Sequence, residues 1–180
     1  SVLSGSLVLA NSTAAGNGGI VVSSGASLGL QGGISVANAV TVGGSGVAGG
    51  GAIQNISGAN ELLGAISQSA GTIYSTANGS SLNVSGSIGR SGGPWGLTHL
   101  GTGTLRLGGA NTYGSTTNVQ GGTVILANAT AASTGARPPR ATVARCTHSA
   151  ASAASSSDRG RALSVRLTAG WRDEALSVPL

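Results

Sequence analysis

Seven times in its first 126 residues the chain repeats one short pattern: a glycine, one or two small residues, then aliphatics at alternate positions. The pattern runs through Gly5-Ser6-Leu7-Val8-Leu9, Gly25-Ala26-Ser27-Leu28-Gly29-Leu30, Gly51-Ala52-Ile53 and Gly71-Thr72-Ile73. It continues through Gly79-Ser80-Ser81-Leu82-Asn83-Val84, Gly103-Thr104-Leu105-Arg106-Leu107 and Gly122-Thr123-Val124-Ile125-Leu126. Leu7 to Leu28, Ile53 to Ile73, Leu82 to Leu105 and Leu105 to Val124 are steps of about 20 residues, the length of one solenoid turn made of short strands and bends. Alternation of period two marks strands with one buried side, and glycine or asparagine supplies the bends between them.

Composition narrows the choice further. Of 180 residues only 7% are charged and 2% aromatic, with Tyr74, Trp95, Tyr113 and Trp171 the sole aromatics and no Phe or Met. A core of interlocking large side chains is therefore excluded, and small aliphatics must form it. Disorder is opposed by the 39% hydrophobic share and by a mean hydropathy of +0.24. These features together predict an all-β chain, a right-handed parallel β-helix over residues 1–136 whose inward side chains pile into aliphatic columns. A two-sheet sandwich is the alternative, although it uses larger core residues and needs no fixed rung length.

Residues beyond 136 follow other rules. Before that point stand Arg90, Arg106 and Glu61, a net of +1; after it stand Arg137, Arg140, Arg145, Arg159, Arg161, Arg166 and Arg172 against Asp158, Asp173 and Glu174, a net of +4. Only Gly160 and Gly170 of 33 glycines lie there, and no asparagine does. Leu7-Val8-Leu9-Ala10-Asn11-Ser12-Thr13-Ala14-Ala15 recurs as Val124-Ile125-Leu126-Ala127-Asn128-Ala129-Thr130-Ala131-Ala132, but only the first copy leads into further strands. The expectation is a disordered Arg/Ala/Ser-rich tail at 137–180, or translation of a shifted reading frame; reading the other two frames of the gene tests the second idea. The tail lacks the aromatic interleaving that nucleic-acid binding would bring, so no nucleic-acid partner is expected.

Within the repeats, residues 97–128 read LTHLGTGTLRLGGANTYGSTTNVQGGTVILAN. The Gly101-Thr102-Gly103-Thr104-Leu105 opening, Leu107, the Gly109-Ala110-Asn111-Thr112-Tyr113 centre, Val119 and the closing Gly121-Gly122-Thr123-Val124 resemble the autotransporter-associated β-strand repeat. Gly25 to Gly32 and Gly49 to Ile66 look like the weaker rungs that precede it. The resemblance implies a type V secretion passenger: a non-enzymatic structural or adhesive stalk, secreted or displayed on the bacterial cell surface, whose repeat aids folding and export. Its implied partner is an outer-membrane translocator barrel of the same polypeptide, with host surfaces or other copies of the chain as further partners. The chain reads as an internal piece, without signal peptide or barrel, and no apolar run is long enough for a membrane-spanning helix. The alternative is an inert β-helical spacer carrying a hydrolase or lyase domain outside this piece.

Gly44-Ser45-Gly46-Val47-Ala48-Gly49 fits G-x-G-x-x-G but runs into more glycine rather than a helix, so the pyrophosphate would lose its helix N-terminus. Gly25-Ala26-Ser27-Leu28-Gly29 and Gly89-Arg90-Ser91-Gly92-Gly93 fit G-x-S-x-G, and His99 and Glu61 are the only base and acid that could complete a triad before residue 136. His99 is expected as a solvent-facing rung residue. Residues 1–136 hold no Asp, which removes acid clusters for calcium or for a pectin-lyase type of chemistry, and the lone Cys146 offers no disulfide framework or zinc site. No catalytic residue, cofactor, metal site or small-molecule substrate is therefore expected. Trp95 is read as capping the aliphatic core, with a sugar-stacking platform as the alternative. Asn11, Asn55, Asn78, Asn111 and Asn128 are read as turn residues rather than glycan acceptors.

Overall fold

The computed structural model describes residues 1–132. Among them the chain forms fourteen strands, one short 3₁₀ turn at Val47–Gly49 and no α-helix. The strands are β1 (Ser6–Leu9), β2 (Ile20–Val22), β3 (Ser27–Leu30), β4 (Ser35–Val36), β5 (Val40–Gly44), β6 (Ile53–Asn55) and β7 (Ala59–Leu62). They continue as β8 (Ile66–Thr76), β9 (Ser81–Val84), β10 (Ile88–Arg90), β11 (Leu97–Gly101), β12 (Thr104–Leu107), β13 (Thr117–Val119) and β14 (Thr123–Leu126). Every ladder between them is parallel, and no consecutive pair forms a hairpin. The arrangement is a β-solenoid of about six turns. The antiparallel sandwich is thereby excluded. The expected tail at 137–180 lies outside the described residues.

Three stacks of strands wrap the bore. The first runs β1-β3-β6-β8-β11-β13, and the second runs β4-β7-β9-β12-β14. The third runs from β2 to β5, to the first half of β8 and on to β10. Eleven-residue β8 serves the third stack with Ile66 to Gln68 and the first with Thr72 to Thr76, bending between them at Gly71.

Period-two alternation turns the ladders into inward columns. Leu7, Leu28, Ile53, Tyr74, His99 and Val119 stand in register in the first stack. Asn60, Leu82, Leu105 and Val124 form a second column, and Val36, Leu62, Val84, Leu107 and Leu126 a third. The Leu7-to-Leu28 and Leu82-to-Leu105-to-Val124 steps are thus as expected. The Ile53-to-Ile73 step is not: Ile53 pairs with Tyr74, and Ile73 lies opposite Thr98. The aliphatic at 73 misled because a shift of one residue exchanges the two faces of a strand.

Close coil-to-coil approach explains much of the glycine. At one corner Asn38, Gly64, Gly86 and Gly109 lie one above the next, and a Cβ on any of these three glycines would collide with the carbonyl of the residue before it in the stack. The nine-residue near-repeat occupies two different places: β1 is in the first stack and β14 in the second. Both copies nonetheless end in the same turn, in which Asn11 Oδ1 accepts from the Thr13 amide and hydroxyl at 2.9 Å, and Asn128 Oδ1 from those of Thr130 at 3.0 Å.

Candidate functional site

The two enzyme-like motifs near residues 27 and 46 prove to be one structural knot. Ser27 is fully buried at the start of β3. Its hydroxyl donates to the Gly51 carbonyl at 2.8 Å and accepts from the Val47 amide at 2.9 Å and from Gln54 Nε2 at 3.3 Å. The glycine-rich loop is closed on itself as well: Gly49, Gly50 and Gly51 donate their amides to the carbonyls of Gly46, Val47 and Ser45. A phosphate cradle needs such amides free and aimed at the ligand, and here they are spent inside the fold. A nucleophile needs an exposed hydroxyl beside a base, and Ser27 has neither.

His99 corrects the expectation of a solvent-facing ring. It is fully buried in the first-stack column, three strands from Ser27's level, a separation of about 14 Å at ordinary strand spacing. Both ring nitrogens are engaged: Nδ1 with the Gly121 carbonyl at 2.9 Å and Nε2 with the Thr76 hydroxyl at 2.8 Å. The carbonyl can only accept, so Nδ1 carries the proton and Nε2 accepts from Thr76. Burial lowers the His99 pKa from its ordinary value, and the Gly121 bond offsets part of that shift. The signal was present in the sequence: Leu97 points inward, so the residue two places on does too. Leu100, an outward residue, drew the reading the other way.

Glu61 lies on the outer side of the second stack. Its carboxylate accepts from Asn83 Nδ2 and the Ser85 hydroxyl, while Arg106 Nη1 donates to Asn83 Oδ1 at 2.9 Å. An acid and a base are thus bridged by an amide across three successive strands, a ladder that holds coils together. Ser27, His99 and Glu61 are not brought together. Among the described residues no group of three or more His, Cys, Asp or Glu is assembled.

The asparagines divide into two kinds. Asn11 and Asn128 make the turns described above, as expected. Asn55 also closes its own turn, its Nδ2 donating to the Gly58 carbonyl at 3.1 Å, whereas Asn60 and Asn111 are buried clamps, a role that turn propensity alone does not reveal. Asn60 Oδ1 takes the Ile34 amide at 2.7 Å, and its Nδ2 donates to Asn55 Oδ1 at 2.6 Å and the Ser57 carbonyl at 2.7 Å. Asn111, at the centre of the 97–128 repeat, takes the Ile88 amide at 2.8 Å and donates to the Ala131 carbonyl at 2.6 Å, joining three coils. Tyr113 packs in the same interior, its hydroxyl bonded to Thr117 and, at 3.3 Å, to the Ala131 carbonyl; burial pushes its pKa up to about 12.

Trp95 also departs from expectation. It is half-buried and packs outside the aliphatic core, in its own loop between β10 and β11. Its indole Nε1 donates to the Ser91 carbonyl at 3.0 Å, and the ring lies along Gly93. Arg90, at the end of β10, is exposed and lays its guanidinium over Gly114. This loop is the one place among the described residues where a cation and a large aromatic side chain share an open surface. No known protein family, curated protein or solved structure matches the chain.

Proposed function

We propose that the chain is a non-enzymatic stretch of a secreted autotransporter passenger, a structural or adhesive stalk held at the bacterial surface by a translocator barrel of the same polypeptide. The observation that carries this reading is the fit of the 97–128 motif to the solenoid. Its Gly-Thr-aliphatic opening carries the chain from the end of β11 into β12, its Asn-Thr-Tyr centre clamps the next corner, and its closing strands β13 and β14 lie directly over β11 and β12. The motif therefore spans one full coil and its return, which suits an element that templates coil upon coil during export. The buried Ser27 and His99 support a non-enzymatic role for this stretch.

The test is to express the gene with its flanking sequence in a bacterial host and to treat intact cells with protease. Loss of the solenoid epitope from whole cells, with a periplasmic marker spared, is the expected result; full protection would refute surface display. The sequestered catalytic candidates also suit an inert spacer that carries an enzymatic domain elsewhere. Hydrolase or lyase activity that appears only in a longer polypeptide would favour that second reading.

A further inference from the structure

The loop between β10 and β11 is built around two side chains that the solenoid does not need. Trp95 contributes nothing to the aliphatic core, yet four hydrogen bonds fix it. Its indole reaches the Ser91 carbonyl, its amide donates to the Gly93 carbonyl at 2.9 Å, and its carbonyl accepts from the Gly114 and Ser115 amides at 3.0 and 3.1 Å. A Cβ on Gly93 would stand 2.9 Å from the indole ring, so glycine is required for the ring to lie flat there. In the connection between β12 and β13, a Cβ on Gly114 would collide with the Arg90 guanidinium and stand 2.8 Å from Pro94 Cα. Arg90 and the Pro94-Trp95 segment thus meet over the same glycine.

The charge at this place is unspent. Among the described residues Glu61 and Arg106 are tied into the Asn83 ladder, whereas the Arg90 side chain makes no hydrogen bond or ion pair. A guanidinium presents its donors as a planar fork that matches a carboxylate or sulfate in two parallel bonds. The half-exposed indole that follows Pro94, which meets Arg90 over Gly114, offers an apolar face of the size of a sugar ring, held in place before any ligand arrives. We infer that Arg90 and Trp95 form a binding site for acidic saccharides, the indole stacking on a pyranose ring and the guanidinium gripping its carboxylate. Gly93 and Gly114 act as positioning residues that seat the two side chains. Where such a glycan would be met rests on the surface-displayed reading above; binding by the purified chain does not.

The test is titration of the full chain with a galacturonate trisaccharide and, in parallel, with the neutral galactose trisaccharide, followed by calorimetry or ligand-observed NMR. Saturable binding of the acidic sugar is expected, weakened about tenfold to a hundredfold in Arg90→Gln and about threefold to tenfold in Trp95→Ala. Trp95→Phe should recover part of the loss, and Gly114→Ala should weaken binding while leaving every charge in place. Circular dichroism of each variant should overlay the parent spectrum, which separates a binding defect from unfolding. The proposal is overturned if the acidic sugar gives no saturable signal, if the neutral sugar titrates equally, or if Arg90→Gln binds like the parent through the arginines beyond residue 136.

Discussion

The coils up to Ile53 and the coils after it are filled by different chemistry. In the earlier part the bore of the first and third stacks is aliphatic: Leu9, Leu28, Leu30 and Ile53 on one side, Ile20, Val22, Val40 and Val42 on the other. In the later part Leu30 passes to Asn55 and Thr76, Leu28 and Ile53 pass to Tyr74 and His99, and Val42 passes to Gln68, while the Ile20 and Val40 column stays aliphatic through Ile66 and Ile88. The second stack keeps leucines and valines from Val36 to Val124 except at Asn60. Aliphatic burial is non-directional and scales with area, so a Leu over a Val over an Ile is nearly as good one coil out of place. Hydrogen bonds are not. Thr76 to His99 to Gly121 and Ile88 to Asn111 to Ala131 close in one register only. The aliphatic columns supply cohesion, and the polar staples specify which coil sits on which.

Volume-conserving substitution separates the two regions most sharply. Asn111→Leu preserves bulk but leaves the Ile88 amide buried without a partner and the Ala131 carbonyl with only the Tyr113 hydroxyl, at a cost of about 1–3 kcal/mol. Leu28→Met in the aliphatic region should cost less than about 1.5 kcal/mol. Urea denaturation followed by circular dichroism measures both, and equal costs would erase the distinction.

A smaller effect of opposite sign is expected at Gln68. Both amide atoms of Gln68 and the hydroxyl of Tyr74 are buried without a hydrogen-bond partner. The Gln68 amide faces the Tyr74 hydroxyl and opposes the rise in its pKa that burial and the neighbouring Tyr113 cause, but the pair does not meet hydrogen-bond geometry. Gln68→Leu should therefore stabilise the chain by about 1 kcal/mol, extending the Val22 and Val42 column by one more coil. A lowered urea midpoint would mean that the amide is part of a staple after all.

The smallest effect is a pH dependence confined to the later coils. Because the folded-state pKa of His99 lies below its ordinary 6.5, the unfolded chain takes up a proton more readily than the folded one. The stability contributed here is complete above about pH 6.5 and declines as pH falls toward the lowered folded-state value. Amide exchange at β11 and β13 should speed up below that pH more than exchange at β3, and His99→Gln should remove the difference.

Much of this fold could be read from the glycine-led repeat, because period-two alternation and a step of about 20 residues leave few options for a chain without large side chains. Residues 97–128 form one coil and its return. What escaped the reading were residues whose role depends on a neighbour one coil away. His99 is polar and lay next to Leu100, so its inward parity with Leu97 was overlooked. Asn111 looked like a turn residue because its partners, Ile88 and Ala131, are adjacent only after the coils stack. Trp95, in a Gly-rich stretch after Pro94, reads as a cap on the aliphatic core, whereas the glycines at 93 and 114 give it and Arg90 a seat outside.

The nine-residue segment that serves once as β1 with its turn and once as β14 with its turn shows that one stretch of chain can take either of two sides of the bore. Its own residues therefore do not fix its destination. A gene that lengthens by copying such a stretch needs few changes within the copy to place it on either side. Growth by duplication is then cheap and incremental, and specificity is acquired afterwards, one inward polar residue at a time.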